Sequence, residues 1–153
     1  MEYPYIAILW TPGTALKTHH VETLIAKIQR DARWYPTLVR QGIALFTQKP
    51  RASFLDVYPL AGKSGVVLGT LFRQGGTRRL SLREIAEDVD FDNICLRTRG
   101  EHLTKSYWGS YVALLSHPHT GDWSIARDCS GMCYVLQYLR RNAFRFPALV
   151  QDF

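Results

Sequence analysis

The sequence predicts an α+β protein in which two sheets pack together with helices outside them. Three observations support this. Gly65-Val66-Val67-Leu68-Gly69-Thr70-Leu71-Phe72 and Tyr111-Val112-Ala113-Leu114-Leu115 are continuous apolar runs, the pattern of strands covered on both faces. Helical periodicity is confined to a few segments. The strand-like runs are joined by short turns.

The elements follow in order. Tyr5-Ile6-Ala7-Ile8-Leu9-Trp10 reads as a strand closed by the turn Thr11-Pro12-Gly13. Val21, Leu24, Ile25 and Ile28 recur at i, i+3, i+4 and i+7, the core face of a helix from about Thr18 to Asp31. Residues 42–47 and 54–58 are the next strands, the second alternating as a half-exposed strand does. After the run 65–72, Ser81-Leu82-Arg83-Glu84 has capping-box spacing, so a short helix follows. A helical stretch from Asp92 to Tyr107 is broken near Gly100. The run 111–115, then Trp123–Ala126, Met132–Tyr138 and Ala143–Val150, complete the strands.

Composition bounds what such a protein can be. The 153 residues suit one domain, and 46% apolar with 21% charged residues excludes disorder as the main state. No apolar run approaches the ~20 residues of a membrane helix, so a membrane partner is not expected. Met1-Glu2-Tyr3-Pro4 lacks the start of a secretory signal, and three cysteines form no disulfide framework; both point to the cytoplasm. A net charge of +6 permits an anionic partner without requiring one.

Two segments carry a resemblance. Residues 107–115, Tyr-Trp-Gly-Ser-Tyr-Val-Ala-Leu-Leu, and 125–134, Ile-Ala-Arg-Asp-Cys-Ser-Gly-Met-Cys-Tyr, resemble the amino-terminal glutamine-amidotransferase-like domain of the asparagine synthetase family. There, a Gly-aromatic-apolar strand leads by a hairpin to an Arg-Asp-x-x-Gly turn, here Arg127, Asp128 and Gly131. Residues 65–73 fall where the family has its Asn-Gly-Glu strand end. The resemblance spans residues 3–153 and is nearest to the lasso-peptide members that close a macrolactam ring. It implies a four-layer αββα sandwich of the N-terminal-nucleophile hydrolase type, here truncated.

The same resemblance implies lost chemistry. Working members expose an amino-terminal Cys, whose α-amino group acts as base while the thiolate attacks the glutamine amide. Here Glu2 follows Met1 and keeps it in place. The family Asn that donates to the oxyanion is Leu68, the Gly is kept as Gly69, and the following acid is Thr70. No Ser-Gly-Gly-x-Asp-Ser loop for ATP is present. The expectation is a pseudoenzyme: a single degenerate domain, residues 1–153, as a fragment of a longer asparagine-synthetase-like chain. It would have no catalytic residues and no cofactor of its own, ATP and Mg belonging to the absent synthetase domain. Its partners would be that domain, a precursor peptide or a protease.

Other constellations compete with this. An amide hydrolase with Cys129 or Cys133 as nucleophile is one alternative; a small metal- or nucleic-acid-binding module is another. His117-Pro118-His119 with Cys129 and Cys133 could suit tetrahedral zinc, but the spacing is loose, so no metal site is expected. Cys95 reads as a core residue. Arg73, Arg78, Arg79 and Arg83 precede Glu84, Glu87, Asp88, Asp90 and Asp92, a charge dipole that reads as a solvated face or a docking surface. Arg140, Arg141 and Arg145 have only Phe144 and Phe146 nearby, a weak match to the basic and aromatic strand face that RNA binding wants. Phe146, Leu149, Val150 and Phe153 are expected at an open strand edge that drives self-association. The pair Arg127-Asp128 reads as an ion pair or backbone clamp on a tight turn.

Overall fold

A computed structural model of the chain describes residues 5–10, 15–48, 56–60, 64–86, 88, 90–117 and 119–129. The protein is a mixed α/β chain that divides into two compact units, with residues 5–48 in one and the described residues from 56 onward in the other. The strands expected at 132–138 and 143–150, together with Gly131, Cys133, the 140–145 arginines and the 146–153 apolar group, lie outside the described residues. Among the described residues no helix is long and apolar enough to cross a membrane.

The first unit contains β1 (Tyr5–Leu9), α1 (Ala15–Gln29), β2 (Trp34–Arg40) and β3 (Ile43–Gln48). The strands form an antiparallel sheet of order β1-β3-β2. The central strand carries Ile43, Ala44, Leu45 and Phe46, all fully buried. The helix begins earlier than the periodicity predicts, and Asp31 lies beyond it in the turn to β2. There the Asp31 carboxylate accepts the Arg33 N–H at 3.1 Å and ion-pairs with its guanidinium at 2.6 Å. Of the expected core face of α1, Val21 is buried, Ile25 and Ile28 are half-buried, and Leu24 is exposed. Strand β2 was not expected from the sequence. Pro36 sits inside it, which argues against a central strand; β2 is instead the edge, and its register shifts between Pro36 and Leu38.

The second unit contains β4 (Asp56–Pro59), β5 (Gly65–Arg73), α2 (Leu82–Ala86), α3 (Phe91–Arg97), α4 (Glu101–Ser106), β6 (Tyr107–Ser116) and β7 (Trp123–Arg127). The strands make one antiparallel sheet in chain order, β4-β5-β6-β7. The two continuous apolar runs are thus central neighbours, in register from Gly65 opposite Leu115 to Arg73 opposite Tyr107. On one face Tyr58, Val67, Leu71, Tyr107, Tyr111, Ala113 and Leu115 pack with Ile85, Phe91, Cys95 and Leu103 from the three helices. On the other, Val66, Leu68, Val112, Leu114 and Trp123 are also buried. The continuity of both runs follows from this two-sided burial.

The helical segment breaks where expected. Gly100, at φ 91°, separates α3 from α4. A Cβ at Gly100 would lie 2.6 Å from the Ala126 side chain. The helix stops at Ser106, and Tyr107 already belongs to β6. The capping box also forms: the Ser81 N–H donates to Glu84 Oε2 at 2.9 Å, and the Glu84 N–H returns to Ser81 Oγ at 3.3 Å.

Candidate functional site

Five of the residues singled out in the sequence, Leu68, Gly69, Thr70, Arg127 and Asp128, fall on three adjacent rows across the second sheet. In one row Val57, Leu68, Val112 and Arg127 stand side by side on β4, β5, β6 and β7. In the next, Asp56, Gly69 and Tyr111 are register partners, and Asp128 completes the row just beyond β7. Thr70 stands opposite Ser110 in the row after that.

Leu68 is fully buried between Val57 and Val112 and offers no hydrogen-bond donor. Gly69 has φ 118°, and a Cβ there would lie 2.1 Å from the Ser110 carbonyl oxygen and 2.8 Å from Tyr111 Cα. Close approach of β6 therefore dictates glycine at this position. Thr70 and Ser110 are half-buried on the face that carries Leu68.

Asp128 is 3% exposed and is the sole buried charged residue among those described. Its Oδ1 accepts the Tyr111 N–H at 3.3 Å, and its own N–H donates to the Tyr111 carbonyl at 3.1 Å. This two-way clamp ties the end of β7 to the middle of β6, opposite Gly69. The backbone-clamp reading of Asp128 therefore describes its geometry, while Arg127 is exposed at the edge of the sheet.

At the β4 end, sequence reasoning missed a polar cluster. Asp56 Oδ2 lies 2.5 Å from Arg79 Nη2 and 2.9 Å from the Tyr58 hydroxyl, which is also 3.1 Å from the Leu80 carbonyl. Asp56 and Tyr58 are two apart on a strand and so share a face; that spacing was the available signal. Burial, then the bond to Asp56, pushes the Tyr58 phenol up, while Arg79 opposes them. Burial likewise pushes the Tyr111 phenol up, with Cys129, Asp128 and Cys95 adding to it. Burial, assisted by Asp92 and Asp88, raises the Cys95 thiol to about 12. Both phenols and this thiol are thus neutral at pH 7, and none is a ready base or nucleophile.

The expected docking arginines are engaged in ion pairs. Arg73 lies 3.8 Å from Asp88, Arg78 pairs with Glu84, and Arg79 pairs with Asp56. Beside them, Trp108 stacks on Phe72 with ring centres 4.2 Å apart. The Trp108 indole N–H faces the Arg73 and Gly76 carbonyls at 3.2 and 3.1 Å. The His and Cys constellation is split: His117 follows β6 at one end of β7, and Cys129 follows β7 at the other. At ~3.3 Å per residue the strand between them spans about 13 Å. Among the described residues no group of three or more His, Cys, Asp or Glu could hold a metal ion.

Chemically, these rows form a rigid backbone scaffold with neutral phenols, engaged carboxylates and an aliphatic side chain at its centre. No family model, no curated protein and no solved structure matches the chain.

Proposed function

We propose that the chain is a non-catalytic, glutamine-amidotransferase-like domain of an asparagine-synthetase-like enzyme, of the type that closes a macrolactam in lasso-peptide biosynthesis. In this reading the domain's fold class is the αββα sandwich of the N-terminal-nucleophile hydrolase type. The domain works in the cytoplasm as a scaffold. It docks a synthetase partner and the precursor peptide or protease that partner serves. ATP and magnesium belong to the partner, and no residue of this chain is assigned to them.

The observation that carries the proposal is Leu68. It occupies the strand position where the resemblance calls for an amide donor, yet it is aliphatic, buried and flanked by Val57 and Val112. A tetrahedral oxyanion beside Leu68 would receive no hydrogen bond from this side chain. The neighbouring Gly69 and the Asp128 clamp support a kept scaffold with lost chemistry.

The test has two arms. The purified protein, incubated with glutamine, should release ammonia no faster than buffer. Turnover abolished by Cys129→Ala or Cys133→Ala would replace the proposal with an amide hydrolase. Co-expressed with a neighbouring reading frame that carries a Ser-Gly-Gly-x-Asp-Ser segment, the chain should co-purify with its product one to one.

A further inference from the structure

The tip of the hairpin between β6 and β7 carries two imidazoles and is tightly fixed. The His117 N–H donates to the Asp122 carbonyl at 2.7 Å, and the Gly121 N–H donates to the His117 carbonyl at 2.9 Å. The Asp122 N–H reaches Thr120 Oγ1 at 3.3 Å, and Gly121 takes the left-handed conformation at φ 70°. On this frame the rings of His117 and His119 are neighbours, with centres 5.9 Å apart and planes tilted by 60°.

That separation is informative. A histidine nitrogen binds zinc or copper at about 2.0–2.1 Å and lies about 1.1 Å from its ring centre. Two rings sharing one ion therefore have centres about 5.2 Å apart at a tetrahedral angle and about 6.4 Å apart when opposed. The observed 5.9 Å lies between these limits. A second observation points the same way. Among the described residues His117 Nδ1 finds no hydrogen-bond partner, and it is shielded from solvent. A polar nitrogen withdrawn from solvent without a partner costs free energy, and a bound cation would remove that cost.

We propose that His117 and His119 form a two-histidine chelate for a nitrogen-preferring divalent metal ion of the zinc and copper class, closing the β6–β7 hairpin. Imidazole pairs favour this class over magnesium or calcium, which take oxygen donors. Among the described residues no third His, Cys, Asp or Glu joins them.

Calorimetry with zinc on the tag-free chain should show one ion bound per chain. His119→Ala, at an exposed position that should tolerate the change, should weaken binding at least about tenfold by leaving a single ligand. The helical pair His19 and His20 is the control: replacing both with Ala should leave this affinity unchanged. Zinc should raise the unfolding midpoint of the native chain but not of His119→Ala. Paramagnetic resonance of the copper-loaded chain should show two nitrogen donors. No binding at about 100 µM zinc, equal affinity in His119→Ala, or a single nitrogen donor would each overturn the proposal.

Discussion

Gly69 shows how tightly single residues hold the second sheet. With φ 118° and the Ser110 carbonyl 2.1 Å from any Cβ, a side chain there must drive β6 away from β5. Gly69→Ala should therefore destabilise the protein by about 3 kcal/mol or more, combining conformational strain with a clash against backbone that cannot rotate aside. Gly75 is the comparison: its φ is 76°, but nothing lies within 4 Å of a Cβ, so Gly75→Ala should cost only about 1 kcal/mol. Urea midpoints of the two variants test this, and equal losses would mean β6 yields easily. At this scale the sequence marked Leu68, Gly69, Thr70 and Asp128, because each lies in a recognisable run. The i, i+2 spacing could place Asp56 and Tyr58 on one strand face but not join them to Arg79, which reaches Asp56 only after the chain folds back along β5 and its turn.

Elements were legible where a local rule decides them. The capping box of α2 needs only residues 81–84, and both of its reciprocal bonds form. Replacing Ser81 by Ala removes the oxygen that accepts the Glu84 N–H and should cost about 0.5–1 kcal/mol; Ser81→Asp, which keeps an acceptor, should cost less. Thermal melts of the two variants would decide it, and equal midpoints would mean the cap contributes nothing. The break at Gly100 was legible for the same reason. Strand β2 was not. Pro36 removes a ladder donor and reads as an interruption, yet an edge strand with a register shift tolerates it. The start of β6 was also misread. Residues 101–107 have no local feature separating the helical end at Ser106 from the strand at Tyr107, and the pairing of Tyr107 with Arg73 makes the choice. The exposure of Leu24 is likewise a tertiary outcome, since a helical repeat shows which residues share a face but not how much of that face is covered.

Over the whole molecule the chain carries 19 basic side chains against 13 acidic ones, and its described ion pairs lie near the surface. Two carboxylates are held well below their ordinary values. The side-chain bond from Arg33 brings Asp31 down from 3.8 to about 2, and that from Arg78, aided by Ser81, brings Glu84 down from 4.5 to about 2. A lowered folded-state value stabilises above the unfolded value and is lost as pH falls through the folded one. Stability should therefore hold down to about pH 5 and decline toward pH 2. From pH 7 down to pH 2 the net charge climbs from +6 toward +24, the sum of 19 Lys and Arg with 5 His once every carboxylate is protonated. Self-repulsion then adds to the lost pairs. The two contributions respond oppositely to salt. At pH 7 salt screens the surface pairs, so 0.5 M sodium chloride should leave the melting midpoint unchanged or lower it. At about pH 2.5 those pairs are weakened, salt mainly screens repulsion, and the midpoint should rise. Asp31→Asn combined with Glu84→Gln should flatten the decline between pH 5 and pH 2 while keeping the low-pH salt effect, because the variants remove the titrating pairs and leave the excess of positive charge. Melting curves in which the double variant runs parallel to the native chain would show that neither carboxylate contributes to the acid response.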